Sequence, residues 1–189
     1  MNVASITATD EQLKLLCRGG DYAAFEQLYH RHKNPLYRFI IRQCSDEEQA
    51  KDIVQDVWLN IHKACGSYVP SAKFTTWLYR IAHNRIIDYY RRSAKGLPIS
   101  YDDENLSEEQ LINLDNRYAP DQQVQSAQET ERLLNAIASL QEAQREAALL
   151  HLEMGFSVSE IANITQTNPE TAKSRLRYAL KKIRQQVLS

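Results

Sequence analysis

Residues 45–92, SDEEQAKDIVQDVWLNIHKACGSYVPSAKFTTWLYRIAHNRIIDYYRR, decide the fold class. Ile53, Val54, Val57, Trp58 and Ile61 recur at helical spacing, and so do Leu78, Ile81, Ala82, Ile86 and Tyr89. Neither set alternates as a half-buried strand would. Ser45 with Glu48 has the form of a capping box that opens the first helix, and Gly66 closes it. A loop through Pro70 then leads to a second helix from about Ser71 to Arg92.

The same punctuation continues in both directions. Upstream, Thr9 with Gln12 caps a helix that Gly19-Gly20 ends. Asp21 caps the next, which buries Phe25, Leu28 and Tyr29, and Asn34-Pro35 restarts or kinks it. Downstream, Leu133, Leu134, Ile137 and Leu140 mark one helix. Ala147, Ala148, Leu150 and Leu152 mark another, closed by Gly155. Ser157 to Thr165 is short, and Asn168-Pro169 starts a last helix that buries Ala172, Leu176, Leu180, Ile183 and Val187. An all-α fold is expected. Five glycines and five prolines in 189 residues agree with it, against roughly 12% in an average chain.

Gly96-Leu97-Pro98 breaks the pattern, and the stretch to about Gln125 is polar and acidic. Asp102, Asp103, Glu104, Glu108, Glu109, Asp115 and Asp121 face only Arg117 there. It reads as a flexible acidic linker between two small helical domains. The expected organisation is a first domain over 1–95, a linker over 96–127 and a helix-turn-helix domain over 128–189.

Hydrophobic residues at 43% and charged residues at 25% suit a globular core. The longest apolar run is Ala147 to Leu150, too short for membrane insertion, and MNVASITATDEQ has no signal-peptide pattern. Cys17, Cys44 and Cys65 lie far apart without CxxC spacing, which suits reduced thiols in the cytoplasm. His30, His32 and His62 lack zinc-ligand spacing, and no phosphate loop, nucleophile elbow or HExxH occurs. No metal, cofactor or catalytic residue is expected.

The net charge of −1 conceals a division. Residues 71–95 hold Lys73, Arg80, Arg85, Arg91, Arg92 and Lys95 against Asp88 alone. Residues 165–189 hold Lys173, Arg175, Arg177, Lys181, Lys182 and Arg184 against Glu170 alone. Two compact basic segments in a neutral chain are the footprint of a polyanion partner, usually nucleic acid.

The second segment lies on the last helix of the helix-turn-helix candidate. Outside its apolar stripe are Glu170, Thr171, Lys173, Ser174, Arg175, Arg177 and Tyr178, where a recognition helix reaches base edges. Lys181, Lys182 and Arg184 suit phosphate neutralisation. In the first segment Lys73, Thr76, Arg80, Asn84 and Arg91 share a face beside Tyr68, Phe74, Trp77, Tyr79, Tyr89 and Tyr90. Cations with aromatic platforms suit single-stranded nucleic acid, although Phe74 and Trp77 fit a core equally well. Asp52 and Asp56 with Gln55 form an acidic face that suits a basic protein partner; as a nuclease metal pair they are poor. These features also fit a stand-alone helix-turn-helix regulator with 1–95 as an effector domain.

Asp52-Ile53-Val54-Gln55-Asp56-Val57-Trp58 resembles the D-(L/I)-V-Q-(E/D)-V-(F/W) signature of the ECF (extracytoplasmic function) bacterial sigma factors. Phe74 to Asn84 resembles their F-x-x-W-L-(Y/F)-R-I-A-x-N segment, and Glu170 to Leu176 their G-T-V-K-S-R-(L/I). The resemblance implies an initiation factor, not an enzyme, in which the first domain binds polymerase core and melts the −10 element while the second reads −35 as duplex. It places Asp52, Gln55, Asp56 and Leu59 at the clamp of the largest polymerase subunit. It assigns Tyr68, Lys73, Phe74, Thr76, Trp77, Arg80, Asn84 and Arg91 to the single-stranded −10 element. It assigns Thr171, Lys173, Ser174, Arg175, Arg177, Tyr178 and Lys181 to the −35 duplex. It further implies a cytoplasmic protein held by an anti-sigma partner. Glu170, Ala172 and Gln166 depart from the family's usual glycine, valine and turn glycine.

Overall fold

The computed structural model describes residues 8–44, 46–67, 73–93 and 127–187. Tyr68, Ser45, Ser71 and most of the expected linker fall outside them. Among the described residues all regular structure is helical: α1 (Asp10–Arg18), α2 (Tyr22–Gln43), α3 (Glu47–Lys63), a 3-10 turn (Ala64–Ser67), α4 (Phe74–Ser93), α5 (Ala127–Ala138), α6 (Glu142–Leu152), α7 (Val158–Thr165) and α8 (Pro169–Val187).

Local chemistry explains the boundaries. Thr9 and Gln12 exchange the two hydrogen bonds of a capping box at α1, and Gly20 turns the chain at φ 88°. Asp21 Oδ1 accepts from the backbone N–H groups of Ala23 and Ala24. At α3 the cap is Asp46, whose Oδ1 accepts from Glu48 N–H, one residue beyond the expected Ser45. Pro35 lies inside α2, which continues through it to Gln43. The ring removes one helical N–H, and burial of Leu36, Phe39 and Ile40 just beyond it holds the helix together.

Leu28, Phe39, Ile40, Val57, Ile61, Leu78 and Ile86 centre the first helical group. Leu140, Leu149, Leu150, Ile161, Ile164 and Leu176 centre the second. Leu134, expected in this core, is instead exposed. The two cores are continuous because α7 packs on α4 and α6 on α2. Tyr79 on α4 sits edge-on between Phe39, at 5.1 Å, and Phe156, at 5.3 Å. His83 of α4 and Glu146 of α6 meet inside the same contact. Arg42 of α2 pairs with Glu153 at the end of α6.

Candidate nucleic-acid interface

The helix-turn-helix is built from α7 and α8. Ser157 and Glu160 form the capping box of α7, with Ser157 N–H donating to Glu160 Oε2 at 3.0 Å. The turn begins at Gln166, which adopts the left-handed conformation (φ 55°, ψ 38°) and donates its N–H to Ala162 O. Thr165 Oγ1 donates to Ile161 O, and Asn168 Oδ1 accepts from Thr171 N–H at 2.7 Å, so Asn168-Pro169 starts α8 as expected.

Ala172, Leu176, Ala179 and Ile183 bury one stripe of α8 against α5, α6 and α7. The other faces carry Lys173 and Lys181, both exposed, and Thr171, Ser174, Arg175, Arg177 and Tyr178, all partly exposed. The Arg177 guanidinium lies 5.1 Å from the Tyr178 ring centre. These are the residues expected at −35, and one helix face with its flanks gathers them. Lys182 is placed otherwise: its Nζ donates to Ser139 O at 2.7 Å, where it closes the end of α5.

The residues expected at −10 divide. Lys73, Arg80, Asn84 and Arg91 are exposed, Trp77 is half-buried, and Phe74 and Thr76 are buried. Phe74 N–H donates to Glu11 Oε1 at 3.2 Å, which draws the first turn of α4 beneath α1. The Phe74 ring then packs 5.3 Å from His32 and 6.0 Å from Trp77, with no free face for a base in this arrangement. Two of these exposed residues are engaged by the helix-turn-helix. Lys73 Nζ donates to Glu160 Oε1 at 2.9 Å, and Asn84 Oδ1 accepts from Gln166 Nε2 at 2.7 Å. Ser157 N–H and, second to it, the Lys73 ammonium hold the Glu160 carboxyl below its ordinary range.

On α3, Asp52, Gln55, Asp56 and Leu59 are all exposed, Leu59 by 48%. The three polar residues line a cleft whose opposite wall is Arg85, Asp88, Tyr89 and Arg92 of α4, with Arg85 paired to Asp88 at 3.5 Å. Leu59 also borders an apolar groove with Phe25, Tyr29 and Trp58. His83, Glu146, Glu160 and Gln166 also join the helical groups, a role that their positions in the sequence do not announce. The visible trace is a histidine and a glutamate inside otherwise apolar helix stripes, His83 and Glu146. Among the described residues, no group of His, Cys, Asp and Glu could hold a metal, and no helix is long and apolar enough to cross a membrane.

Residues 28–96 match the family model for sigma-70 region 2, and residues 130–183 match that for sigma-70 region 4. Over 168 residues the chain is 30% identical to the ECF RNA polymerase sigma factor SigM of Mycobacterium tuberculosis (strain ATCC 25618 / H37Rv), covering 88% of this chain and 79% of that one. The chain belongs to the ECF sigma factors. Another relative of this ECF sigma factor is RNA polymerase sigma factor YlaC of Bacillus subtilis, 26% identical over 84% of this chain and 91% of its own. Two solved structures share the fold. CnrH, in complex with the cytosolic domain of CnrY, superposes with a TM-score of 0.65 at 22% identity, covering 93% of this chain and 95% of that one. RpoE, with the anti-sigma factor NepR from Bartonella quintana, gives 0.61 at 23% identity, with 87% and 96% covered. The ECF sigma factor signatures thus coincide with α3, with α4 and with the start of α8.

Proposed function

We propose that the protein binds the core of RNA polymerase, recognises −35 and −10 promoter elements and opens the promoter for transcription. The observation that carries this is the pair of separate basic helix faces, one on a duplex-reading fold and one beside the half-buried Trp77. Thr171, Lys173, Ser174, Arg175, Arg177 and Tyr178 are at the end of α8 that enters a major groove in helix-turn-helix proteins. Lysine and arginine there donate to guanine O6 and N7, and Lys181 neutralises phosphate. Asp52, Gln55, Asp56 and Leu59 take the polymerase clamp.

On α4 and the segment before it, Lys73, Arg80, Asn84 and Arg91 hold the backbone of the unpaired −10 strand, and Trp77 and Tyr68 offer rings to its bases. Each unstacked base costs a few kcal/mol, which stacking of about 1–3 kcal/mol per base offsets. Phe74 and Thr76 support that surface from beneath. Lys73 and Asn84 must first exchange Glu160 and Gln166 for DNA, so strand binding requires the two helical groups to part. The protein is a dissociable factor of the cytoplasm and supplies no catalytic group. RpoE is seen with the anti-sigma factor NepR, and an anti-sigma protein is assigned to this chain by the same reading.

Run-off transcription with purified polymerase core tests the proposal. A promoter-dependent product is expected, and its absence overturns the reading. Tight, palindrome-dependent binding to duplex without polymerase would point instead to a stand-alone regulator.

A further inference from the structure

A buried lysine sits where α1 meets the turn that follows α3. Lys14 has no exposed surface. Its Nζ donates to Cys65 Sγ at 3.4 Å and lies 4.1 Å from the centre of the Trp77 ring. Cys17, three residues along α1, is buried and close enough to Cys65 for the two thiols to influence each other. Burial pushes the Cys17 thiol up to about 11, although the Lys14 ammonium pulls it the other way. Cys65 itself is partly exposed, whereas Cys44, at the end of α2, is buried.

Burying an ammonium is costly unless it is paired. The placement supplies a positive charge in contact with the sulfur of a partly exposed cysteine, the setting in which thiols react. A second thiol, Cys17, lies beside it.

We propose that Lys14, Cys65 and Cys17 form a peroxide-sensitive site at which Cys65 is the attacking thiol and Cys17 the resolving one. The Cys65 sulfur, as thiolate, attacks one oxygen of a hydroperoxide. An S–O bond forms, the O–O bond breaks, and the departing oxygen leaves beside Lys14 and is protonated to water or an alcohol. Cys17 then attacks the sulfenic sulfur: an S–S bond forms, the S–O bond breaks, and the hydroxyl leaves with the Cys17 proton as water. Two thiols and one hydroperoxide thereby yield one disulfide, with the peroxide reduced. Transient disulfides of this kind are compatible with a reducing compartment. Disulfide formation at this site does not rest on the proposed function.

The experiment uses the reduced full chain, an equimolar pulse of hydrogen peroxide, alkylation and peptide mass mapping. A Cys17–Cys65 linked peptide lacking two hydrogens is expected, with Cys44 recovered alkylated. Cys17→Ser should stop at a sulfenic acid on Cys65 that dimedone captures, and Cys44→Ser should oxidise like the wild type. Lys14→Met should slow the reaction about tenfold, and Lys14→Gln provides a second neutral variant should methionine disturb packing. A link involving Cys44 or a second chain, oxidation of Cys65 no faster than that of free cysteine, or an unchanged rate in both Lys14 variants overturns the proposal. The mass reading is independent of promoter activity, so its failure is distinct from failure of the proposed function.

Discussion

His83 Nδ1 lies 2.8 Å from Glu146 Oε1, and the two side chains, 10% and 8% exposed, join α4 of one helical group to α6 of the other. Each is the other's means of staying buried. His83→Ala should cost about 1–3 kcal/mol, because it leaves a carboxyl group without its hydrogen bond in a dry contact. The double change His83→Leu with Glu146→Leu should recover most of that loss, since neither polar group remains. Urea unfolding of the three proteins checks this; a double variant as unstable as His83→Ala would show that packing, not the polar pair, holds the contact.

Glu160 connects acidity to the same contact. Ser157 N–H and Lys73 favour its ionised form, so its folded pKa lies below the ordinary 4.5. A lowered carboxyl contributes stability that is fully present above its unfolded value and fades as pH falls through the folded one. The advantage of wild type over Glu160→Gln in thermal melts should therefore hold at neutral pH and shrink between about pH 5 and about pH 3. A gap that stays constant over that range would dissociate the stabilisation from ionisation.

Gln166 holds φ 55° without being a glycine. Gln166→Gly should relieve left-handed strain and stabilise the C-terminal helices by about 0.5–1 kcal/mol. Gln166→Val should destabilise by more than that, because a β-branched residue tolerates this region worst. Asn84→Ala serves as the control for the hydrogen bond lost in both variants. Equal melting temperatures for the glycine and valine variants would contradict the assignment.

Charge removal on α8 should separate by position. Lys181→Ala or Arg184→Ala should lower affinity for −35 duplex evenly across sequences and reduce the salt slope by about one. Lys173→Ala and Arg175→Ala should instead alter base preference, and Lys182→Ala should act on stability through Ser139 O. Fluorescence anisotropy at several salt concentrations decides, and identical behaviour at all five positions would remove the groove assignment.

Much of the helical fold is legible in short-range chemistry: Thr9, Asp21, Ser157 and Asn168 announce helix starts because a cap acts on residues two or three away. Pro35 misleads because tertiary burial overrides a local penalty. Thr76 and Phe74 mislead because periodicity shows which residues share a face but not which face another helix will cover. The Lys73–Glu160 and Asn84–Gln166 contacts join residues 87 and 82 apart, and such pairings leave no periodic trace. The same holds for Lys14 and Cys65, 51 apart.

The eight-residue helix α7 braces α8 on one side and lies along α4 on the other. Both neighbours belong to one polypeptide, so dilution does not loosen this arrangement as it would a complex of two chains. On the proposed reading, a duplex offering only a −35 site can occupy α8 while Lys73 and Asn84 stay engaged. A lone −10 strand must displace those contacts without help. DNA presenting both at the right separation, once held by α8, brings its −10 strand to those contacts at high effective concentration. The fold then acts as a coincidence detector, with the distance between promoter elements as the quantity it measures.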